Sequence, residues 1–506
     1  MRMILTGLLA CILTLSSVPA VADSISGKRP NILLIITDDQ GYGDISAHGN
    51  PVLHTPNLDR LHREGVRFTD FHVSPTCAPT RSAVMTGRHE FRNGVTHTIL
   101  ERERMTLQAT TLPQVLKSAG YATGIFGKWH LGDEAEYQPN RRGFDEVFIH
   151  GGGGIGQIYP GSCGDAPGNS YFNPTLLHNG QFVKTDGYCT DLFFDQASKW
   201  IDTQRQAKKP FFAYVSTNTP HSPLNARPED KAVYEDRGLN ENAESFFGMI
   251  HNIDQNVGRI LGKLDEWQLT DNTLVIFMND NGGTAGVSIF NAGMRGSKGT
   301  AWLGGTRASS FWRWPGTLNP ADCAALSAHI DIFPTLAALA GAPPAEDVQK
   351  QIEGRSLIPL LENPQADWSD RLLFTHLGRW AKGADPNTAK YRACSVRNSQ
   401  WHLVSEKGAA EPQWQLFDVE SDAGEMTDVA DQHPDVVKEL SAAFEQFWQD
   451  ALPLMVNENV RGPRINPFQQ LYYQQFGGAP TPEAMAQMDP DRPFPDPPKG
   501  GKKKKR

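Results

Sequence analysis

The run Cys77-Ala78-Pro79-Thr80-Arg81 sets a thiol two residues ahead of a proline and four ahead of an arginine. Proline favours the first turn of a helix, and Ser82 to Met85 would continue one, so Cys77 is expected at a helix N-terminus. Such a position attracts negative charge and lowers a thiol pKa, which makes this side chain a candidate nucleophile. Asp38-Asp39 and Asp280-Asn281 offer oxygen donors only, the set a hard divalent cation takes, and calcium tolerates irregular geometry better than magnesium. Either pair alone reads as a turn or a cap; together they point to one ion site. No His-Glu-x-x-His or Cys-x-x-Cys occurs, which argues against structural zinc. Lys128, His130 and His221 add positive charge and a proton donor or acceptor for neutral pH. Taken singly, a lysine is ordinarily a solvated surface residue and a histidine a structural one.

What gathers these residues is a repeated pattern. Four short apolar runs, Asn31 to Ile36, Tyr121 to Phe126, Phe211 to Val215 and Thr273 to Met278, read as strands buried on both faces. Longer segments of helical spacing, such as Thr111 to Ala119 and Phe246 to Trp267, lie between them. That alternation predicts an α/β layered fold around a large, mainly parallel sheet. Asp38-Asp39 follow the first run, Lys128 and His130 the second, His221 the third and Asp280-Asn281 the fourth. Ligands of open α/β sheets bind beyond the carboxyl ends of the strands, so one sheet edge should collect all of these groups.

From about Arg371 the texture changes. Tyr391 to Val396, Trp401 to Val404 and Trp414 to Val419 suggest a smaller antiparallel sheet, and Pro434 to Trp448 an amphipathic helix. The chain of 506 residues therefore divides into 23–370, a catalytic domain, 371–460, a C-terminal subdomain, and 461–506, an extended Pro-rich and basic tail. Residues 1–22, basic at Arg2, apolar from Ile4 to Val18 and closing on Ala20-Val21-Ala22, read as a signal peptide. The protein is then exported, periplasmic or secreted, with no membrane span. A net charge of −9 argues against nucleic acid as partner, while a local cation cluster could still bind an anionic substrate. Apart from Cys11, in the apolar leader, five cysteines remain, an odd number, so at least one is unpaired. Cys163 and Cys189 flank a Gly-, Pro- and Asn-rich loop and are the best disulfide candidates, the pairing being left open.

Cys77-x-Pro79-x-Arg81 followed by Met85-Thr86-Gly87-Arg88 closely resembles the signature of the type I sulfatases. Asn31 to Gly41 and Asn279 to Gly283 resemble that family's two calcium-binding segments, and the likeness runs from about Arg29 to Asp450. The resemblance implies an alkaline phosphatase-like sandwich that hydrolyses sulfate monoesters on sulfated glycans, with aryl sulfates as surrogates. It implies that a formylglycine-generating enzyme oxidises Cys77 to formylglycine, an aldehyde whose hydrate is the nucleophile. One calcium ion would be held by Asp38, Asp39, Asp280, Asn281 and residue 77. Arg81 and Lys128 would flank that residue, His130 would take a proton during sulfate release, and His221 and Lys298 would bind sulfate and assist the leaving oxygen. One departure is Leu303-Gly304-Gly305, where sulfatases often have an acidic residue before the two glycines. Gly151 to Gly156 fits a nucleotide-loop pattern but lacks the helix that should follow, so it is expected to be a flexible pocket wall. Gln157 to Tyr188, Trp129 and Trp302 are candidates to touch the leaving group, ordinary packing being the alternative for the tryptophans. Two other readings stay open: a phosphonate or phosphate ester hydrolase of the same superfamily, and a glycan-binding relative without turnover.

Overall fold

A computed structural model describes residues 24–455 and 461–492; the expected signal peptide at 1–22 and the basic end of the chain lie outside the described residues. A ten-stranded sheet runs in the spatial order Ala321–Cys323, Val66–Phe68, Ser310–Arg313, Thr273–Asn279, Asn31–Thr37, Phe211–Ser216, Ala122–Lys128, Glu146–His150, Thr175–His178 and Gln181–Lys184. The five strands from Thr273–Asn279 to Glu146–His150 are mutually parallel, and antiparallel neighbours extend the sheet on both sides. Side chains alternate across a strand. Accordingly Ile32, Leu34 and Ile36 join one buried cluster, and Leu33 and Ile35 join the other. The helices Cys77–Thr86, Leu112–Ser118 and Ile332–Leu339 pack into the first cluster; Pro56–Glu64, Cys189–Gln206 and Glu241–Glu266 pack into the second.

Register decides what meets at the sheet's edge. Thr37 lies opposite Asn279, Ile36 opposite Ser216, Gly127 opposite Ser216, and Lys128 opposite His150. The four parallel strands that carry site residues therefore end level, and the residues just beyond them converge. Gly127 is required there: its φ is +117°, and a Cβ on it would lie 1.9 Å from the Ser216 carbonyl oxygen.

Four antiparallel strands, Leu373–His376, Cys394–Arg397, Trp401–Ser405 and Gln415–Asp418, form the second sheet, covered by the helix Pro434–Ala451 through Leu440, Phe444 and Trp448. The run expected as a strand from Tyr391 pairs only from Cys394, and Leu373–His376, four residues long, is additional. The extended tail expected from 461 is corrected over 461–492, which form the helices Pro467–Phe476 and Pro482–Met488. Phe468 and Met488 are buried, and Asn466 donates to Asp133 Oδ2 at 2.6 Å and to the Ser162 carbonyl at 2.8 Å. Two of the prolines in this segment, Pro467 and Pro482, stand in helix first turns. Among the described residues no helix is long and apolar enough to cross a membrane. Cys163 and Cys189, the open disulfide candidates, are not joined: both thiols are free and buried, Cys163 beside the Glu103 carboxylate and Cys189 opening a helix.

Candidate active site

Cys77 opens the helix Cys77–Thr86 and is only 2% exposed. Its thiol and one carboxylate oxygen each of Asp38 and Asp280 lie within 4.8 Å of one another. Asp38, Asp39 and His221 form a second, overlapping group of the same span. Every anion here has a cation against it. Lys128 Nζ donates to Asp38 Oδ2 at 2.7 Å, and Arg81 grips Asp280 Oδ2 through Nε at 3.0 Å and Nη2 at 2.8 Å. Lys298 Nζ donates to Asp39 Oδ1, which also accepts from Asn281 Nδ2 at 3.1 Å. His221 donates from Nδ1 to the Ser222 carbonyl at 2.6 Å, leaving Nε2 3.9 Å from Asp39 Oδ2.

The electrostatics follow from crowding without water. Burial pushes the Cys77 thiol up, but Lys128, Lys298 and His130 outweigh it and hold the group well below the ordinary thiol range. Burial likewise opposes ionisation of Asp38, yet Lys128, His221 and Arg81 keep its carboxyl far below the usual value. Asp280 pairs with it in the opposite direction: burial and then the Asp38 charge push it up to about 8. Two carboxylates this close call for a further positive charge between them. The donor set fits one. Asp38 Oδ1 and Asn281 Oδ1 are buried without a hydrogen-bond partner, and both are hard oxygen donors.

His130 sits at the far side of residue 77, in the left-handed region with φ of +60°. Its Nε2 donates to the Thr98 carbonyl at 2.9 Å and lies 2.9 Å from Glu103 Oε2. Its Nδ1 is buried and has no hydrogen-bond partner. Burial and Lys128 lower its pKa, but Cys77 and Glu103 prevail and raise it. The glycine-rich segment walls this side: a Cβ on Gly153 would stand 3.0 Å from His130 Cε1.

All ten residues singled out, Asp38, Asp39, Cys77, Arg81, Lys128, His130, His221, Asp280, Asn281 and Lys298, thus meet at one place. The Lys298 backbone N–H donates to the Gly283 carbonyl at 3.1 Å and that of Gly299 to the Pro75 carbonyl at 2.9 Å, tying the lysine loop to both neighbouring segments. At Leu303 a carboxylate arrives from the loop beyond the second sheet's last strand: Glu425 Oε2 accepts the Leu303 N–H at 2.8 Å. For Trp129 and Trp302 the packing alternative holds: they are 1% and 4% exposed, Trp129 Nε1 donates to the Tyr137 carbonyl, and Trp302 lies under Arg295 and meets Phe417 edge-on. Three residues at the site escaped the sequence reading. Ser216 accepts from Arg81 Nη1 and donates to the Lys128 carbonyl at 2.8 Å. His150 is wholly buried beside Lys128, both ring nitrogens unpartnered, and burial holds its pKa far down. Glu103 lies in the charged run Glu101 to Arg104 and is wholly buried.

Comparison with known proteins places this geometry. The model of the sulfatase family matches residues 30–342, and that of the N-sulphoglucosamine sulphohydrolase C-terminal region matches residues 305–450. Arylsulfatase J of Mus musculus is 30% identical over 486 residues, spanning 88% of this chain and 80% of that protein. N-acetylgalactosamine-6-sulfatase of Canis lupus familiaris is 34% identical over 379 residues, 69% of each. The crystal structure of Ps i-CgsB in complex with k-i-k-neocarrahexaose superposes with a TM-score of 0.73 at 30% identity, over 85% of this chain and 95% of that one.

Proposed function

The chain belongs to the sulfatase family of sulfuric ester hydrolases, and we propose that its substrate is a sulfated glycan, cleaved with formylglycine at position 77 and one calcium ion. The observation that carries this reading is the convergence of the Cys77 side chain with Asp38 and Asp280, ringed by Arg81, Lys128 and Lys298. Calcium would be held by Asp38, Asp39, Asp280, Asn281 and residue 77, and when bound it supplies positive charge to the reacting oxygens. Formylglycine at position 77 would supply, as its hydrate, a nucleophilic hydroxyl and a second hydroxyl for sulfate release.

The protein's own groups do the rest. Arg81, anchored by Asp280 and Ser216, presents a fixed cation beside residue 77. Lys128 and Lys298, each paired to a carboxylate on one side, offset the charge that gathers on the sulfuryl oxygens. His130 accepts a proton at Nδ1, the ring atom without a partner. His221 bonds a carbonyl through Nδ1, so Nε2 is the atom able to hand a proton to the departing alcohol oxygen. The glycan class is supported by the relative named for N-acetylgalactosamine 6-sulfate and by the carrageenan-oligosaccharide complex. Residues 1–22 support export.

The test pairs peptide mass spectrometry across Cys77 with sulfate release from an aryl sulfate and from sulfated oligosaccharides. Protein made alongside a formylglycine-generating enzyme should carry the aldehyde and hydrolyse sulfate, and Cys77→Ala should not. Undiminished turnover in Cys77→Ala, or faster cleavage of aryl phosphate than aryl sulfate, overturns the reading.

A further inference from the structure

Two acceptors face the same nitrogen of His130. The Thr98 carbonyl oxygen accepts from Nε2 at 2.9 Å, Glu103 Oε2, itself without a hydrogen-bond partner, stands at 2.9 Å from the same nitrogen as an ion-pair contact, and neither a carbonyl nor an ionised carboxylate can donate. The ring proton therefore sits on Nε2, and in the neutral imidazole the lone pair sits on Nδ1, the atom with no partner. Glu103 is itself locked. Its other oxygen accepts from Ser162 Oγ and from the Cys163 backbone N–H, and its side chain is fully buried. Burial raises its pKa, but His130, Arg104 and Ser162 prevail and lower it, in keeping with an ionised group.

We propose that Glu103 is a positioning residue: with the Thr98 carbonyl it fixes His130 as the Nε2–H tautomer and turns a bare Nδ1 toward residue 77. This rests on the role given above to His130 as proton acceptor. The requirement is geometric. A proton held on Nδ1 instead would point at residue 77 and leave no lone pair to receive one from it. Glu103 never touches the substrate; it acts through the imidazole. Ser162 and Cys163 belong to the loop that Asn466 clamps from the end of the chain, so the register of that loop is transmitted to His130 through one carboxylate.

The experiment is ¹⁵N NMR of ring nitrogens in histidine-labelled Cys77→Ala protein, which needs no turnover and removes the thiolate that favours a second proton on the ring, with His130→Gln identifying the resonance. With Glu103 in place it should show the Nε2–H form for His130. Glu103→Gln, which can offer an amide donor to Nε2, should shift it toward Nδ1–H, and Glu103→Asp should restore it. In converted enzyme, Glu103→Gln should lower kcat about a hundredfold with little change in KM, short of the roughly ten-thousandfold loss a fully wrong tautomer brings because the Thr98 carbonyl still favours Nε2–H. An Nδ1–H form with Glu103 in place overturns the proposal, as does Glu103→Gln that keeps Nε2–H and loses less than about threefold in kcat. If the tautomer shifts as expected while wild type hydrolyses no sulfate ester, the functional reading fails and the positioning role stands.

Discussion

Replacing Arg397 by Met should loosen the second sheet from the first and do so in a pH-dependent way. Arg397 ends the strand Cys394–Arg397 and forks onto Asp70 with Nη2–Oδ2 at 2.8 Å and Nη1–Oδ1 at 3.1 Å. Asp70 immediately precedes Phe71–His72, the strand that leads within five residues to Cys77. The arginine side chain is 5% exposed and the aspartate 23%, so its loss strands a mostly buried carboxylate. Breaking a buried pair by removing one partner costs roughly 3–5 kcal/mol, and partial rehydration of Asp70 places this case near about 3. Burial pushes Asp70 up, but Arg397 and His72 hold it well below the usual range. Such a group contributes stability above its unfolded pKa of about 4 and loses it as pH falls through the lower folded value. His72, which burial and Arg397 push down to about 3, contributes stability above about 6.5 that is lost on acidification toward 3. Without Arg397 the imidazole is free to take a proton and replace the missing cation. The gap between wild type and variant should therefore be full at pH 7 and narrow steadily toward pH 5. Hydrogen exchange over 373–418, with urea unfolding alongside, reads both numbers. A gap under about 1 kcal/mol at pH 7, or one that widens on acidification, refutes the reasoning.

Calcium should raise the thermal midpoint of chelator-treated protein, by about 2.7 kcal/mol of stability at a hundred times its dissociation constant. Asp38→Asn should abolish most of that gain, and a calcium response equal in both proteins would count against the ion site. Asn466→Ala removes a helix cap and two buried donor bonds, Nδ2 to Asp133 and to the Ser162 carbonyl, worth about 2–4 kcal/mol locally. Limited proteolysis and hydrogen exchange should then show 461–492 and the 151–166 loop opening together; an unchanged loop would show the two segments to be uncoupled.

Much of the site was legible because it sits where short-range pattern is strongest. Strands buried on both faces leave unbroken apolar runs, and the register of parallel strands carries the residues after each run to one edge, so Asp38, Lys128, His221 and Asp280 could be grouped without coordinates. What stayed hidden depends on contacts between distant segments. Glu103 looks like one of four charged neighbours until the loop at Ser162 closes over it. Glu425, more than a hundred residues from Leu303, supplies a carboxylate that local sequence around the two glycines seemed to lack. Trp129 and Trp302 left two readings open, since an indole beside a motif looks available for a sugar whether or not packing has already covered it. The end of the chain misled because prolines that open helices look the same in sequence as prolines that prevent them.

The near-complete enclosure of the Cys77 side chain has a consequence for timing. Any enzyme that oxidises that thiol must seize it while the polypeptide is still open, before the sheet edge and the helix Cys77–Thr86 dock. The strap through Asn466, synthesised almost four hundred residues later, seals the wall behind His130. Order of synthesis thus leaves an interval in which the residue can be altered, and completion of the chain ends it.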